Sequence, residues 1–116
     1  MSELLELNKK LQKFAEERDW IKYQSPKNLS MALAGEVGEL LEHFQWLTEH
    51  ESANLSQEKQ HEVALEVADI QIYLLRLSDR LNIDILKSVK DKMQINEKKY
   101  PVNKVKGSAK KYTEYQ

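Results

Sequence analysis

Apolar residues recur along this chain at helical spacing in four separate stretches. Leu4, Leu7, Leu11 and Phe14 alternate at three and four residues, which makes one apolar stripe on a first helix ending near Arg18-Asp19. The segment from Asp19 to Pro26 loses that period and carries Trp20 and Tyr23, so a loop with two aromatics is expected there. A second helix is predicted from Asn28 or Ser30, both suitable caps, to about Glu49. After a polar connector from Glu49 to Ser56, Ser56 can cap a third, long helix reaching Leu81. That helix is apolar over Val63, Val67, Ile70, Leu74 and Leu77, with Ile72, Tyr73 and Leu75 in addition. So wide an arc predicts burial on more than one side, within the chain and against a second subunit. Asp84 is the cap candidate for a fourth helix, with Leu86, Val89, Met93 and Ile95 facing inward, ended by Pro101. The pattern therefore predicts an all-α fold, a four-helix bundle in one domain over residues 1–101, followed by a basic C-terminal tail, 102–116.

Composition agrees with that class. Only three Gly and two Pro interrupt 116 residues, and 32% of residues are charged. Eighteen basic against nineteen acidic residues leave a net charge of −1, so no global field draws the chain to a nucleic-acid polymer or an anionic membrane. The absence of cysteine excludes disulfides, thiolate metal sites and a cysteine nucleophile. The acidic, amphipathic start is unlike a signal or transit peptide, and no apolar run approaches the ~20 residues that span a bilayer. A cytoplasmic protein is expected.

Candidate chemistry lies in two pairs of acids. Glu36 with Glu39, and Glu66 with Asp69, each stand at i, i+3 inside an apolar-periodic segment, so each pair projects from one side of its helix. Glu66 and Asp69 lie among Val63, Val67 and Ile70, where a solvated acid is less expected. Clustered carboxylates resist ionising together without a cation, and an all-oxygen set favours a hard divalent ion. Magnesium is the usual partner where a substrate phosphate completes the shell. Gly35 and Gly38, each costing ~1 kcal/mol relative to Ala in a helix, flank these acids and suggest close approach by another backbone or a ligand; helix packing at a small-residue contact is the structural alternative.

In order along the chain, Glu17-Arg18-Asp19-Trp20, Pro26-Lys27-Asn28-Leu29, Gly35 to Leu40, Phe44-Gln45-Trp46, Glu66-x-x-Asp69, Ile72-Tyr73-Leu74, Lys92-Met93-x-Ile95-Asn96, Tyr100-Pro101 and Lys111-Tyr112-Thr113-Glu114 resemble the MazG-like all-alpha nucleoside triphosphate pyrophosphatases, and among them the dCTP pyrophosphatases. The resemblance implies a four-helix fold, a homotetramer built as a pair of dimers, and magnesium-dependent conversion of a (deoxy)nucleoside triphosphate to the monophosphate and pyrophosphate, with cytosine deoxynucleotides preferred and nucleotide-pool cleansing as the role. It also implies that Glu36, Glu39, Glu66 and Asp69 are the metal ligands.

Other residues fit such chemistry on their own terms. Lys92, Asn96 and Lys99 share one face of the fourth helix by their i, i+4, i+7 spacing and could contact phosphate oxygens; a solvated lysine face is the plain alternative. Trp20, Trp46 and Tyr73 are candidates to stack a base, whereas Phe44 is assigned to the core. Glu58-x-x-His61 is half of a di-iron bundle motif, but His43 and His50 are not placed to supply the rest. No nucleophile–base pair and no glycine-rich phosphate loop is present. The expected mechanism is direct attack of water on the α-phosphorus, with Glu39 accepting the proton. A reading of a different class is a non-catalytic helical interaction module whose acids bind a structural metal.

Overall fold

The computed structural model describes residues 2–108, and every regular element among them is helical, in keeping with the all-α class expected. The Lys111-Tyr112-Thr113-Glu114 motif lies outside the described residues. Helix α1, Glu3–Glu17, is capped by Ser2, whose Oγ accepts from the Leu5 N–H at 3.2 Å. It ends with the Trp20 N–H donating to the Ala15 carbonyl at 2.9 Å and the Asp19 N–H to that of Glu16 at 3.1 Å. Asp19 occupies the left-handed region, φ 54°, which Asp tolerates better than most side chains. This reversal hands the chain to a 3₁₀ turn, Ile21–Tyr23.

Helix α2, Pro26–Glu42, starts before the expected caps. Ser25 is the N-cap, accepting from the Asn28 N–H at 3.1 Å, and Pro26 fits the first turn because its missing N–H would have no partner there. Asn28 instead donates its side-chain amide to the Tyr23 carbonyl, and Ser30 donates its hydroxyl to Lys27 O. The helix also stops seven residues short of Glu49, because the chain unwinds into tight turns from His43 to Leu47. Thr48 and Glu51 then form a reciprocal capping box that starts α3, Glu49–Ala53, inside the stretch expected to be a plain connector. Ser56 caps α4, Gln57–Arg80, and Asp84 caps α5, Ile85–Lys99, both as expected. Within the expected tail, Val102–Val105 forms one helical turn, α6.

The chain divides into two compact units, residues 1–82 and 83–116. In the first, α4 packs against α2 and α1. Ala15, Leu29 and Leu75, one from each helix, are the buried apolar residues. Burying a leucine contributes ~1.5–3 kcal/mol, so two leucines and an alanine make a modest core. Leu65 and Val67 are both more than half exposed, although two residues apart on a helix point ~200° away from each other. Apolar surface on both flanks of α4 is thus left open by its own chain. In the second unit, Leu86, Val89, Met93 and Ile95, expected to face inward, are exposed. Their spacing still makes an apolar stripe, but among the described residues this unit holds one long helix and the turn α6, too little to cover it.

Candidate metal centre and adjoining cavity

Glu36 sits on α2 seven residues after buried Leu29, two helical turns along the same face, so the packing that buries Leu29 also draws Glu36 toward α4. Glu66 reaches the same point from α4. Glu36, Glu39 and Glu66 bring one carboxylate oxygen each within 4.8 Å of one another. Glu36 Oε2 and Glu66 Oε2 are buried with no hydrogen-bond partner among the described residues. Burial, then the neighbouring carboxyls of Glu66 and Glu39, push the Glu36 carboxyl up from 4.5 to about 7, and the charge of Asp69 adds to the effect. A carboxylate cluster with orphaned oxygens, and with no ion pair to a cation among the described residues, fits a hard divalent cation by its donor chemistry.

Asp69 is exposed and stands outside the set of three, one turn beyond Glu66 on α4. It lines a cavity of about 270 Å³ together with Phe14, Trp20, Gln24, Tyr73 and Arg76. A second cavity, about 230 Å³, shares Trp20, Gln24 and Tyr73 with it and extends to Tyr23, Asn28 and Leu29. Trp20 is 46% exposed and packs edge-on against Phe14, with ring centroids 5.7 Å apart, so it belongs to a cavity wall and not to the core. The Arg18 guanidinium lies 3.5 Å from the other ring's centre, Phe14, and donates to the Phe14 carbonyl, which steadies this corner.

Of the residues singled out from the sequence, Glu36, Glu39 and Glu66 converge, and Asp69, Trp20 and Tyr73 border the adjoining cavity. Trp46 lies in the turn after α2, is 86% exposed and lines neither cavity. Lys92, Asn96 and Lys99 stand on one face of α5, in the second unit. A Cβ at Gly35 or Gly38 would meet nothing within 4 Å, so no other backbone among the described residues of this chain approaches either glycine.

Two polar residues were not singled out from the sequence. Arg76 is 2% exposed; its Nε donates to Gln24 Oε1 at 3.0 Å and its Nη1 to Asp79 Oδ2 at 3.3 Å. Burial pushes its guanidinium down from the ordinary value, and Asp79 opposes that shift. Arg80 Nε donates to the Gln24 carbonyl at 3.1 Å, so two arginines of α4 fasten the loop that carries Trp20. The available signal was a lone cation in the run Leu74-Leu75-Arg76-Leu77, seven residues after Asp69 and therefore on its face.

A model of the MazG-like family matches residues 32–115. The chain is 44% identical over 103 residues to dCTP pyrophosphatase 1 of Rattus norvegicus and of Homo sapiens, and 45% identical to that of Bos taurus. These matches cover 87% of this chain and 61% of each relative, so the chain spans about three fifths of the length of the curated relatives it matches. The fold is also that of a crystal structure of a pyrophosphatase from Archaeoglobus fulgidus, with a TM-score of 0.83, 42% identity, and coverage of 87% of this chain and 94% of that one. The match covers α4, α5 and all four acids of the candidate centre, and by it this chain belongs to the MazG-like family.

Proposed function

We propose that this protein is a magnesium-dependent nucleoside triphosphate pyrophosphohydrolase that converts a deoxynucleoside triphosphate, with dCTP preferred, to the monophosphate and pyrophosphate. The convergence of Glu36, Glu39 and Glu66 with orphaned oxygens, beside an aromatic cavity, carries this reading. The names of the relatives, dCTP pyrophosphatase 1 and a pyrophosphatase, support the reaction and the base.

Glu36, Glu39, Glu66 and Asp69 would hold the metal, Asp69 from the edge nearest the cavity. Magnesium there would supply positive charge for the triphosphate and acidify water. Glu39, the exposed member of the three, accepts a proton from the water that attacks the α-phosphorus. Trp20 and Tyr73 flank the base, since aromatic faces stack on any base. Lys92, Asn96 and Lys99 offer two cations and an amide for phosphate oxygens on one face of α5, and Trp46 closes over the base where copies of the chain meet. A homotetramer, a pair of dimers, fits the apolar flanks of α4 left open at Leu65 and Val67. No helix among the described residues is long and apolar enough to cross a membrane.

The deciding experiment mixes purified protein with magnesium and each deoxynucleoside triphosphate in oxygen-18 water. Pyrophosphate should appear fastest from dCTP, with the label in the monophosphate. Orthophosphate as the first product, or label in pyrophosphate, would refute the reaction. No turnover of any nucleotide, with metal still bound, would favour the interaction module.

A further inference from the structure

Arg76, a buried cation with an unused donor, lines the aromatic cavity seven residues along α4 from Asp69. Arg76 Nη2 is buried and has no hydrogen-bond partner among the described residues, although Nε and Nη1 of the same guanidinium are bonded to Gln24 and Asp79. Arginine stays protonated in proteins, so this donor cannot be silenced by losing its proton. An unpaired buried donor is costly, and a ligand acceptor that pairs with it removes that cost on binding. The cavity bordered by Arg76 is otherwise walled mainly by rings and apolar side chains, which leaves few polar groups to fix a ligand's orientation.

Position along the helix says which part of the ligand would arrive there. Asp69, Tyr73 and Arg76 follow one another along a single stripe of α4, and all three line the cavity. Seven residues separate Asp69 from Arg76, about 10.5 Å of helix rise. With phosphates held at the acids and the base flanked by Trp20 and Tyr73, the far edge of the base meets Arg76.

We infer that Arg76 and Gln24 together read the base, by donating to two adjacent acceptors on its hydrogen-bonding edge. This rests on the pyrophosphohydrolase reading and adds the residues that choose the substrate. Gln24 Oε1 is taken up by Arg76 Nε, which leaves the amide nitrogen of Gln24 as its second polar group, so both residues offer donors. Cytosine presents the matching pair, N3 and O2, side by side. Thymine and uracil carry a hydrogen on N3, which would face a donor with a donor. Adenine offers one acceptor beside an amino group, and guanine offers paired acceptors only on its O6/N7 edge. A site whose buried donors stay unpaired with the wrong base discriminates more sharply than an apolar pocket can. Fastening by Arg76 and Arg80 keeps Gln24 in place before the base arrives.

The test compares wild type with Arg76→Met, which keeps the length and removes the donors, and with Gln24→Ala, at the less buried member of the pair. For each, kcat/KM is measured with dCTP, dTTP, dGTP and 2′-deoxyribose 5′-triphosphate, which has no base, and circular dichroism checks folding. In Arg76→Met, kcat/KM for dCTP should fall at least tenfold relative both to dTTP and to the base-less triphosphate. Gln24→Ala should move both ratios in the same direction by a smaller factor, and it decides the matter if Arg76→Met does not fold. Ratios within twofold of wild type in a folded variant would overturn the assignment and leave Arg76 a structural cation, while the pyrophosphohydrolase reading stood. A preference of wild type for dGTP, lost in Arg76→Met, would overturn the choice of cytosine. Wild type that releases pyrophosphate from no substrate would refute the underlying reading and this inference with it.

Discussion

Replacing Glu36 by glutamine removes the most strongly perturbed charge of the cluster while keeping its shape. The folded-state value of about 7 lies above the ordinary 4.5, so the folded protein holds this proton over a range where the unfolded chain has released it. The metal-free protein is therefore favoured fully below about pH 4.5, loses that advantage as pH rises toward 7, and lacks it above. At about 1.36 kcal/mol for each tenfold change, the displacement sets a ceiling of about 3 kcal/mol on the strain at pH 8. Water reaches neighbouring Glu39 and screens part of the repulsion, which brings the expected relief in Glu36→Gln to about 1–2 kcal/mol. For a domain of this size that is a rise in Tm of roughly 4–10 °C. The assay is thermal unfolding by circular dichroism in chelator at pH 5 and pH 8, at one fixed protein concentration. Wild type should lose more Tm than Glu36→Gln between the two, and magnesium at pH 8 should raise wild type and leave the variant nearly unmoved. Equal pH dependence in both proteins would refute the account of the cluster as repelling acids awaiting a cation.

Glu66→Gln and Asp69→Asn should each abolish pyrophosphate release with helical content retained, and full activity in Asp69→Asn would remove it from the ligand set. Trp20→Ala should weaken nucleotide binding by ~1–3 kcal/mol in calorimetry with magnesium affinity kept. Trp46→Ala should do so only if a second copy completes the cleft, so an unchanged affinity in a protein that light scattering shows to be monomeric would follow from the exposure of Trp46. Leu29→Ala, at a fully buried large side chain, should cost ~2–5 kcal/mol in denaturant unfolding, and a loss under 1 kcal/mol would show that the small core is not centred there.

The helical class, the caps at Ser56 and Asp84, and the two acid pairs were legible because each depends on neighbours within one turn. Periodicity three to four residues apart says which face is apolar, and i, i+3 spacing puts two acids on one side, whatever the rest of the chain does. Helix α2 begins before the expected caps because Ser25 and Pro26, at the end of the expected loop, suit an N-cap and a first helical turn. The break after Glu42 was hidden because His43 to Leu47 contains no glycine or proline to mark it.

Tertiary structure decided what those faces meet. Only packing of α2 on α4 shows that Glu36 joins Glu39 and Glu66 as a trio while Asp69 turns to the cavity, because the crossing of two helices sets which pairs of side chains come within reach. Phe14 and Trp20 are six residues apart, yet their meeting depends on the reversal at Asp19, a backbone conformation that composition does not announce. Arg76 and Gln24 are 52 positions apart, and a lone arginine among leucines does not say whether its charge faces water, an acid or a ligand. Local spacing fixed which residues could share a helix face; the folded packing of α1, α2 and α4 decided which faces share a site, since contacts between helices depend on distances in space that no periodicity along one strand of sequence contains.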